Sequence, residues 1–340
     1  MQSQVQIKPL TIWIALLLFA LCISACGTSN QPTGSAEEAP TGEAESTSNV
    51  NRARDGGAES ADISPASTRV YEHMSGSSKI PVKAERVVTD WYYGQLVALG
   101  IKPIGTDPFV LNNHPFIEQE GTESIGQSVE KILELEPDLI LSWGANKYDD
   151  YAKIAPTVPL ELNGGPKEAV QIFGDILGRE EEAKQWISEF DRTVEEARQQ
   201  ISDVIASGET FTILNIWKNT LRVYGFVNMG GYALYEGLQV KAPAKVEEVF
   251  RNTEEWYEEI SLEVISEYAG DHLIVTSYDP EGTSAVMQEL EQSAVWSSLD
   301  AVKNNRVYTV DYNSLYFDDP IAIQEQVKLL AKVIAERKQY

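Results

Sequence analysis

Cysteine is nearly absent from this chain of 340 residues: Cys22 and Cys26 both sit near the N-terminus, and the body beyond them has no thiol. That body can therefore hold neither a disulfide framework nor a Cys-ligated metal. Histidine is almost as scarce, with only His73, His114 and His272. Zinc and most transition-metal sites draw on clusters of His or Cys, so a dedicated site for a bare metal ion has few ligands to use. Positive charge is also short, with 27 Lys and Arg against 52 Asp and Glu, a formal net charge of −25. Nucleic-acid binders carry basic stripes, and this balance argues against such a partner. The signatures of catalysis are missing too: no Gly-x-Ser-x-Gly elbow, phosphate-binding loop, His-Glu-x-x-His pair or dinucleotide glycine fingerprint. Ser128-Val-Glu-Lys131 fits Ser-x-x-Lys formally, but its Ser-Asp-Asn and Lys-Thr-Gly companions are absent. The chain reads as a non-enzyme.

What is present divides the chain sharply. A segment with Lys8 leads into one apolar run, Leu10 to Leu21, too short for a membrane span and suited to an export signal. Ile23-Ser-Ala-Cys26 resembles the bacterial lipobox, in which the cysteine is diacylated and becomes the new N-terminus. Residues 1–26 are thus expected to be a lipoprotein signal peptide, with Cys26 the lipidation site and the membrane a partner through its lipid anchor. Residues 27–66, rich in Gly, Ser, Thr, Glu and Ala, lack the apolar surface to fold and are expected to be a flexible polar tether. That places the body on the extracytoplasmic face of the cell membrane.

Two stretches of the body repeat one pattern. Ser128 to Leu141 and Ser261 to Val275 each read Ser-apolar-Glu, a short helix, a turn ending in Asp, and an unbroken apolar strand. Unbroken runs belong to parallel strands buried on both faces. The expected fold is α/β, with two α/β lobes, each with a mainly parallel sheet, joined by one long α-helix. Trp186, Phe190, Val194, Ala197, Ile201 and Val204 recur at three or four, so a helix from Glu180 is expected to run some 27 residues as a strut. The boundaries read are 67–166 for a first ligand-binding lobe, 167–206 for the bridging helix and 207–340 for a second lobe.

From Arg69 onward the chain resembles the substrate-binding lipoproteins of ATP-binding-cassette importers for iron–siderophore complexes, a family that also holds cobalamin and haem binders. The residues carrying the likeness are Arg86-Val-Val with Leu99-Gly-Ile-Lys-Pro-Ile-Gly105, Val129 to Ile140, Ile154-Ala-Pro-Thr-Val158, Ile260-Ser-Leu-Glu263 and Trp296 to Tyr308. The resemblance implies a ferric siderophore held between the lobes and a two-fold permease with its ATPase as partner, on a Gram-positive cell. It implies no cofactor and no direct metal ligand, because the siderophore already fills the coordination sites of iron(III). It also assigns Glu130 and Glu263 to docking on the permease, although each also suits the first turn of its own helix.

Such a ligand needs aromatic walls and hydrogen-bond donors, and sites in α/β sheets lie beyond the carboxyl ends of the strands. The residues expected there are Trp91, Tyr92, Tyr93 and Trp143 in the first lobe. In the second they are Trp217, Tyr278, Tyr312 and Tyr316, with Arg222 and Tyr224 on a neighbouring strand. Asn112, Asn113 and His114, in a polar loop, are weaker candidates. Candidate cations are few (Lys147, Lys218 and Arg222), which favours a neutral or cationic hydroxamate over a trianionic catecholate. Val223 to Gly231, Leu234-Tyr235 and Asp319-Pro320 are similar to the hydroxamate-binding branch. That branch often has a Trp and an Arg where this chain has Met229 and Gly230 or Gly231, leaving Arg222 as the substitute. The alternatives are a catecholate, carboxylate, haem or cobalamin ligand and, more distantly, a cell-surface hydrolase or a lipoprotein without a transport role.

Overall fold

The first sheet owes its position to strands with no polar face. In this computed structural model, which describes residues 67–336 apart from 127, 163, 254, 283 and 284, Val87, Val88, Leu139, Ile140 and Leu141 are completely buried. They belong to β3 (Val87–Thr89) and β6 (Leu139–Trp143). Around them β4 (Gly105–Thr106), β5 (Glu123–Ser124) and β7 (Thr157–Leu160) complete an all-parallel sheet in the order β5-β4-β3-β6-β7. A hairpin of β1 (Thr68–His73) and β2 (Gly76–Pro81) precedes it, turning at Met74-Ser75. The signal peptide, Cys26, the tether and residues 337–340 lie outside the described residues.

The second sheet runs β10-β9-β8-β11-β12. Its centre, β8 (Phe211–Trp217) with β11 (His272–Tyr278) and β12 (Val307–Thr309), is parallel. Its edge is not, because β9 (Thr220–Tyr224) and β10 (Tyr257–Ile260) both add antiparallel. Sequence reading missed β10: Tyr-Glu-Glu-Ile alternates exposed and half-buried residues, the pattern of an edge strand rather than a core one.

The repeated pattern is a repeated device. In the first copy Asp138 accepts from the backbone N–H of Glu85 (2.8 Å) and Arg86 (3.0 Å), fixing the start of β3 beside β6. In the second, Asp271 accepts from the N–H and the hydroxyl of Thr210, both at 2.8 Å, fixing the start of β8 beside β11. Burial pushes the Asp271 carboxyl up, but the Thr210 bonds outweigh it and hold it below its ordinary value. Each Asp aligns two central strands, which is why the turn carries Asp in both lobes.

Between β7 and β8 the chain forms three helices: Pro166–Leu177, Glu180–Gln200 and Ser202–Ser207. The expected continuous strut of 27 residues is instead a 21-residue helix, roughly 32 Å long at 1.5 Å per residue, broken at Ile201. Ile201 leaves helical geometry with φ −117° while its side chain stays fully buried. The break lets the next short helix turn toward β8 without giving up the apolar stripe. Ala183, Trp186, Phe190, Val194 and Ala197 form that stripe, with Trp186 stacked on Phe190 at 5.0 Å. A terminal helix, Pro320–Glu336, packs on the bridging helix and on the first-lobe helix Tyr93–Ala98. One apolar core thus runs from Val87 in the first lobe to Ile334 in the last helix.

Candidate ligand cleft

Parallel strands bring the residues just past their carboxyl ends to one edge of the sheet, and here that edge is a pocket. Asp90 and Trp91 follow β3, Asp107 and Phe109 follow β4, and Trp143, Asn146 and Lys147 end or follow β6. Together with Tyr316 of the second lobe they line a cavity of about 460 Å³. The Thr89 hydroxyl accepts from the N–H groups of Trp91 (3.3 Å) and Tyr92 (2.9 Å), setting the turn out of β3. Asp90 accepts from Trp143 N–H at 2.8 Å, and Asp107 caps its helix through Phe109 N–H at 2.8 Å. Burial pushes the Asp90 carboxyl up; the Trp143 N–H and the Lys147 charge pull the other way and do not cancel it.

The pocket continues into a line of rings that crosses from one lobe to the other. Trp217 stacks on Tyr278 at 4.5 Å, Tyr278 meets Tyr312 at 4.8 Å, and Tyr312 meets Tyr316 at 5.3 Å. Tyr316 then stands edge-on to Phe109 at 5.4 Å, and Phe109 stacks on Trp91 at 6.4 Å. All five spacings fall in the attractive range for aromatic pairs. Trp217, Tyr278, Tyr316, Phe109 and Trp91 are only partly buried, whereas Tyr312 is 6% exposed. Burial raises the hydroxyl pKa of Tyr224, Tyr312 and Tyr316, so these groups are neutral hydrogen-bonding hydroxyls.

Arg222 supplies this wall with a cation. Its guanidinium sits 4.9 Å over Trp217 and 4.4 Å over Tyr257 and donates to Glu259 at 2.7 Å. The Met229–Gly231 turn has no room for one. Met229 is 2% exposed, Gly230 has φ +81°, and a Cβ on Gly231 would lie 2.2 Å from Gly225 O.

Not every expected wall residue faces the cleft. Trp91, Trp143 and Tyr316 line the pocket, and Trp217, Arg222, Tyr224, Tyr278 and Tyr312 gather beside Tyr316. Tyr92 and Tyr93 do not join them. Both are core residues, 2% and 0% exposed, their hydroxyls donating to Leu160 O and Glu118 O at 2.7 Å each. They begin a helix whose inner face turns them under the sheet, and three consecutive aromatics carry no mark in the sequence to separate them. His114 is also internal, 2% exposed, and Asn113 bonds back to Phe109 O. Lys218 lies apart, beside a small hollow with Asp279. Reading the sequence missed Asp90, Asp107, Phe109 and Tyr257. The first two are the residues directly after strand ends, a positional signal as good as the one that found Trp91.

Glu130 and Glu263 occupy equivalent places, both exposed in the first turn of the short helix that precedes β6 or β11. Each helix runs back toward the start of its strand, so both carboxylates stand at the cleft end of the sheets. The backbone N–H and the Ser128 hydroxyl, at 2.9 Å, hold Glu130 below its ordinary pKa; Ser261 and the backbone do the same for Glu263.

Among the described residues no three His, Cys, Asp or Glu side chains gather as a metal-ligand set. Likeness to known proteins is extensive. The family profile described as periplasmic binding protein matches residues 121–313. The iron(3+)-hydroxamate-binding protein YxeB of Bacillus subtilis is 36% identical over 79% of this chain and 86% of its own length. The iron(3+)-hydroxamate-binding protein FhuD of the same organism is 30% identical over 95% of this chain and 96% of its own. A B. subtilis crystal structure, described as a FhuD fold-family periplasmic binding protein component of a Fep/Fec-like ferrichrome ABC transporter, has a TM-score of 0.70. It is 30% identical and covers 78% of this chain and 100% of that one.

Proposed function

This chain belongs to the periplasmic binding protein family, and from that premise we propose that it is the extracytoplasmic substrate-binding component of an ABC importer, capturing a ferric hydroxamate siderophore between its lobes for iron uptake. The observation that carries the reading is the aromatic line from Trp217 to Trp91, which gives one wall to both lobes beside a pocket of about 460 Å³. A coordinatively filled ferric complex asks for such a wall. It needs contact area and a few oriented polar groups, not metal ligands. Iron enters as part of the cargo.

Charge separates the ligand classes. A tris-hydroxamate of iron(III) is neutral, whereas a tris-catecholate carries three negative charges. Asp90 and Asp107 line the pocket with one cation, Lys147, and the nearby Arg222 is already paired with Glu259. Placing a trianion there would set it against fixed carboxylates in a partly desolvated site. The two hydroxamate-binding relatives from B. subtilis support the same choice.

Presentation to the permease falls to Glu130 and Glu263, one on each lobe, exposed and ionised. Two equivalent carboxylates suit a partner with two-fold symmetry. Anchoring falls to Cys26 with the 27–66 tether. The test is a titration of the full-length protein by Trp fluorescence with ferric hydroxamates, ferric catecholates, ferric citrate, haem and cobalamin. Trp91, Trp143 and Trp217 make quenching a direct report of the cleft. Saturable quenching by ferric hydroxamates, tighter than by the others, is expected. Tighter binding of a catecholate, haem or cobalamin would replace the hydroxamate reading, and no quenching by any of them would end it.

A further inference from the structure

We propose that His114 and Asp319 are positioning residues for the ligand: neither lines the pocket, yet the bond between them seats Tyr316 against Phe109 and so sets the place where the two lobes share one wall. The proposal rests on the siderophore reading for the identity of the ligand alone.

Among the described residues, Tyr316 is the second lobe's only contribution to the pocket lining. Among them too, every ring pair that joins the lobes involves Tyr316 or its neighbour Phe317. Phe109 meets Tyr316 at 5.4 Å, and Phe317 lies 6.0 Å from Phe109, 6.2 Å from Trp91 and 4.4 Å from His114. The shape of the wall at this junction therefore depends on how the segment from Tyr316 to Asp319 is seated.

That segment is held from both sides. Within its own lobe, Phe317 O accepts from Gln326 Nε2 at 2.7 Å, Asp319 O from Ile323 N–H at 2.9 Å, and Asp319 Oδ1 from Ala322 N–H at 3.0 Å. These bonds fasten it to the terminal helix and ask nothing of the first lobe. The link across is His114, whose Nε2 meets Asp319 Oδ2 at 2.6 Å, with both side chains buried. His114 ends the helix Pro108–Asn113, which carries Phe109 into the pocket, and its own N–H bonds Val110 O at 3.0 Å. Asp319 also rests on Gly94, three residues after Trp91, where a Cβ would lie 1.8 Å from Oδ1.

Phe109 and His114, on one short helix, thus meet Tyr316 and Asp319, on one short segment. Two contacts between two stiff pieces fix both distance and angle, where a single contact leaves a pivot. The two contacts are not interchangeable. Ring pairs are attractive over about 4.5–7 Å and admit several arrangements, whereas a hydrogen bond is short and directional. The bond is what selects one arrangement of the rings. Without it Tyr316 drifts from Phe109, and part of the binding energy is spent on reassembling the wall.

The experiment titrates the full-length protein by Trp fluorescence with one ferric trihydroxamate, at a temperature well below the unfolding of every variant. His114→Phe keeps a ring beside Phe317 and removes the N–H donor. It is expected to weaken binding about tenfold, chiefly through faster dissociation. His114→Gln, which offers an N–H at similar reach, should recover most of that loss. In Phe109→Leu, adding His114→Phe should weaken binding by less than about twofold more, since the ring to be positioned is gone. Near-ultraviolet circular dichroism of ligand-free His114→Phe should differ from wild type as Tyr316, Phe109 and Trp91 shift. Gly94→Ala displaces Asp319 while leaving His114 in place, should weaken binding in the same direction, and serves if His114→Phe does not fold. Asp271→Ala is the control: it frees the start of β8, at the end of the sheet away from the cleft, and should lower Tm with affinity and spectrum unchanged. Wild-type affinity in His114→Phe would overturn the proposal while leaving the siderophore reading intact. So would a full tenfold loss in the Phe109→Leu background, or an equal loss in Asp271→Ala, which would make the effect one of general stability. If the wild-type protein binds no ferric trihydroxamate, the ligand reading has failed; the spectrum then decides the positioning, which a His114→Phe trace superimposing on wild type would overturn.

Discussion

Replacing Asp319 by alanine tests what holds the two lobes in register. Asp319 belongs to the second lobe but reaches into the first. One carboxylate oxygen caps the terminal helix through Ala322 N–H at 3.0 Å, and the other meets His114 Nε2 at 2.6 Å. The paired side chains are 8% and 1% exposed. Phe116 N–H donates to His114 Nδ1 at 3.3 Å, so the ring proton sits on Nε2 and points at Asp319. Alanine removes a helix cap worth about 1 kcal/mol and leaves a buried N–H without an acceptor, costing about 1–3 kcal/mol. The sum is about 2–4 kcal/mol, which for a protein of this size lowers Tm by roughly 3–7 °C. Asp319→Asn has one side-chain oxygen and can keep only one of these two bonds, so its loss should be smaller than that of alanine but not zero. Thermal unfolding of the full-length protein, followed by circular dichroism without ligand, measures both. A double-mutant cycle with His114→Phe should return a coupling energy of about 1 kcal/mol or more. An Asp319→Ala protein melting within about 2 °C of wild type, or a cycle that closes to zero, would refute the reasoning.

Gly94→Ala probes the same junction from the other side. A Cβ there would lie 1.8 Å from Asp319 Oδ1, and overpacking of this kind costs about 1–3 kcal/mol, readable as a Tm loss. Glu130→Ala combined with Glu263→Ala should abolish siderophore-dependent iron uptake by cells while fluorescence titration finds ligand affinity unchanged; normal uptake would remove both residues from permease docking.

The scaffold was legible in the sequence wherever one residue type had one use. Unbroken apolar runs of that length are strands buried on both faces, so β6 and β11 were plain. Recurrence of Ser-x-Glu and a later Asp revealed the duplication before the bonds of Asp138 and Asp271 explained it. The cleft was legible only in outline. Position after a strand end found Trp91 and Trp143, but facing is set by the first turn of the next helix, which sent Tyr92 and Tyr93 inward. Phe109 and Tyr316 meet across the lobes, and no local pattern encodes a contact between residues so far apart in sequence. Ile201 escaped notice because a buried apolar residue keeps helical periodicity whether or not its backbone does.

The clasp between His114 and Asp319 joins positions 205 residues apart, and that distance sets an order of assembly. The first lobe leaves the ribosome well before its partner. Its strands can pair as soon as β7 has emerged, yet the outer face of the Tyr93–Ala98 helix and the polar edge of His114 stay uncovered until the final helix arrives. Closing so long a loop is slow and entropically costly. The half-finished lobe must therefore wait with an apolar face exposed, and its maturation is timed by the arrival of the terminal helix.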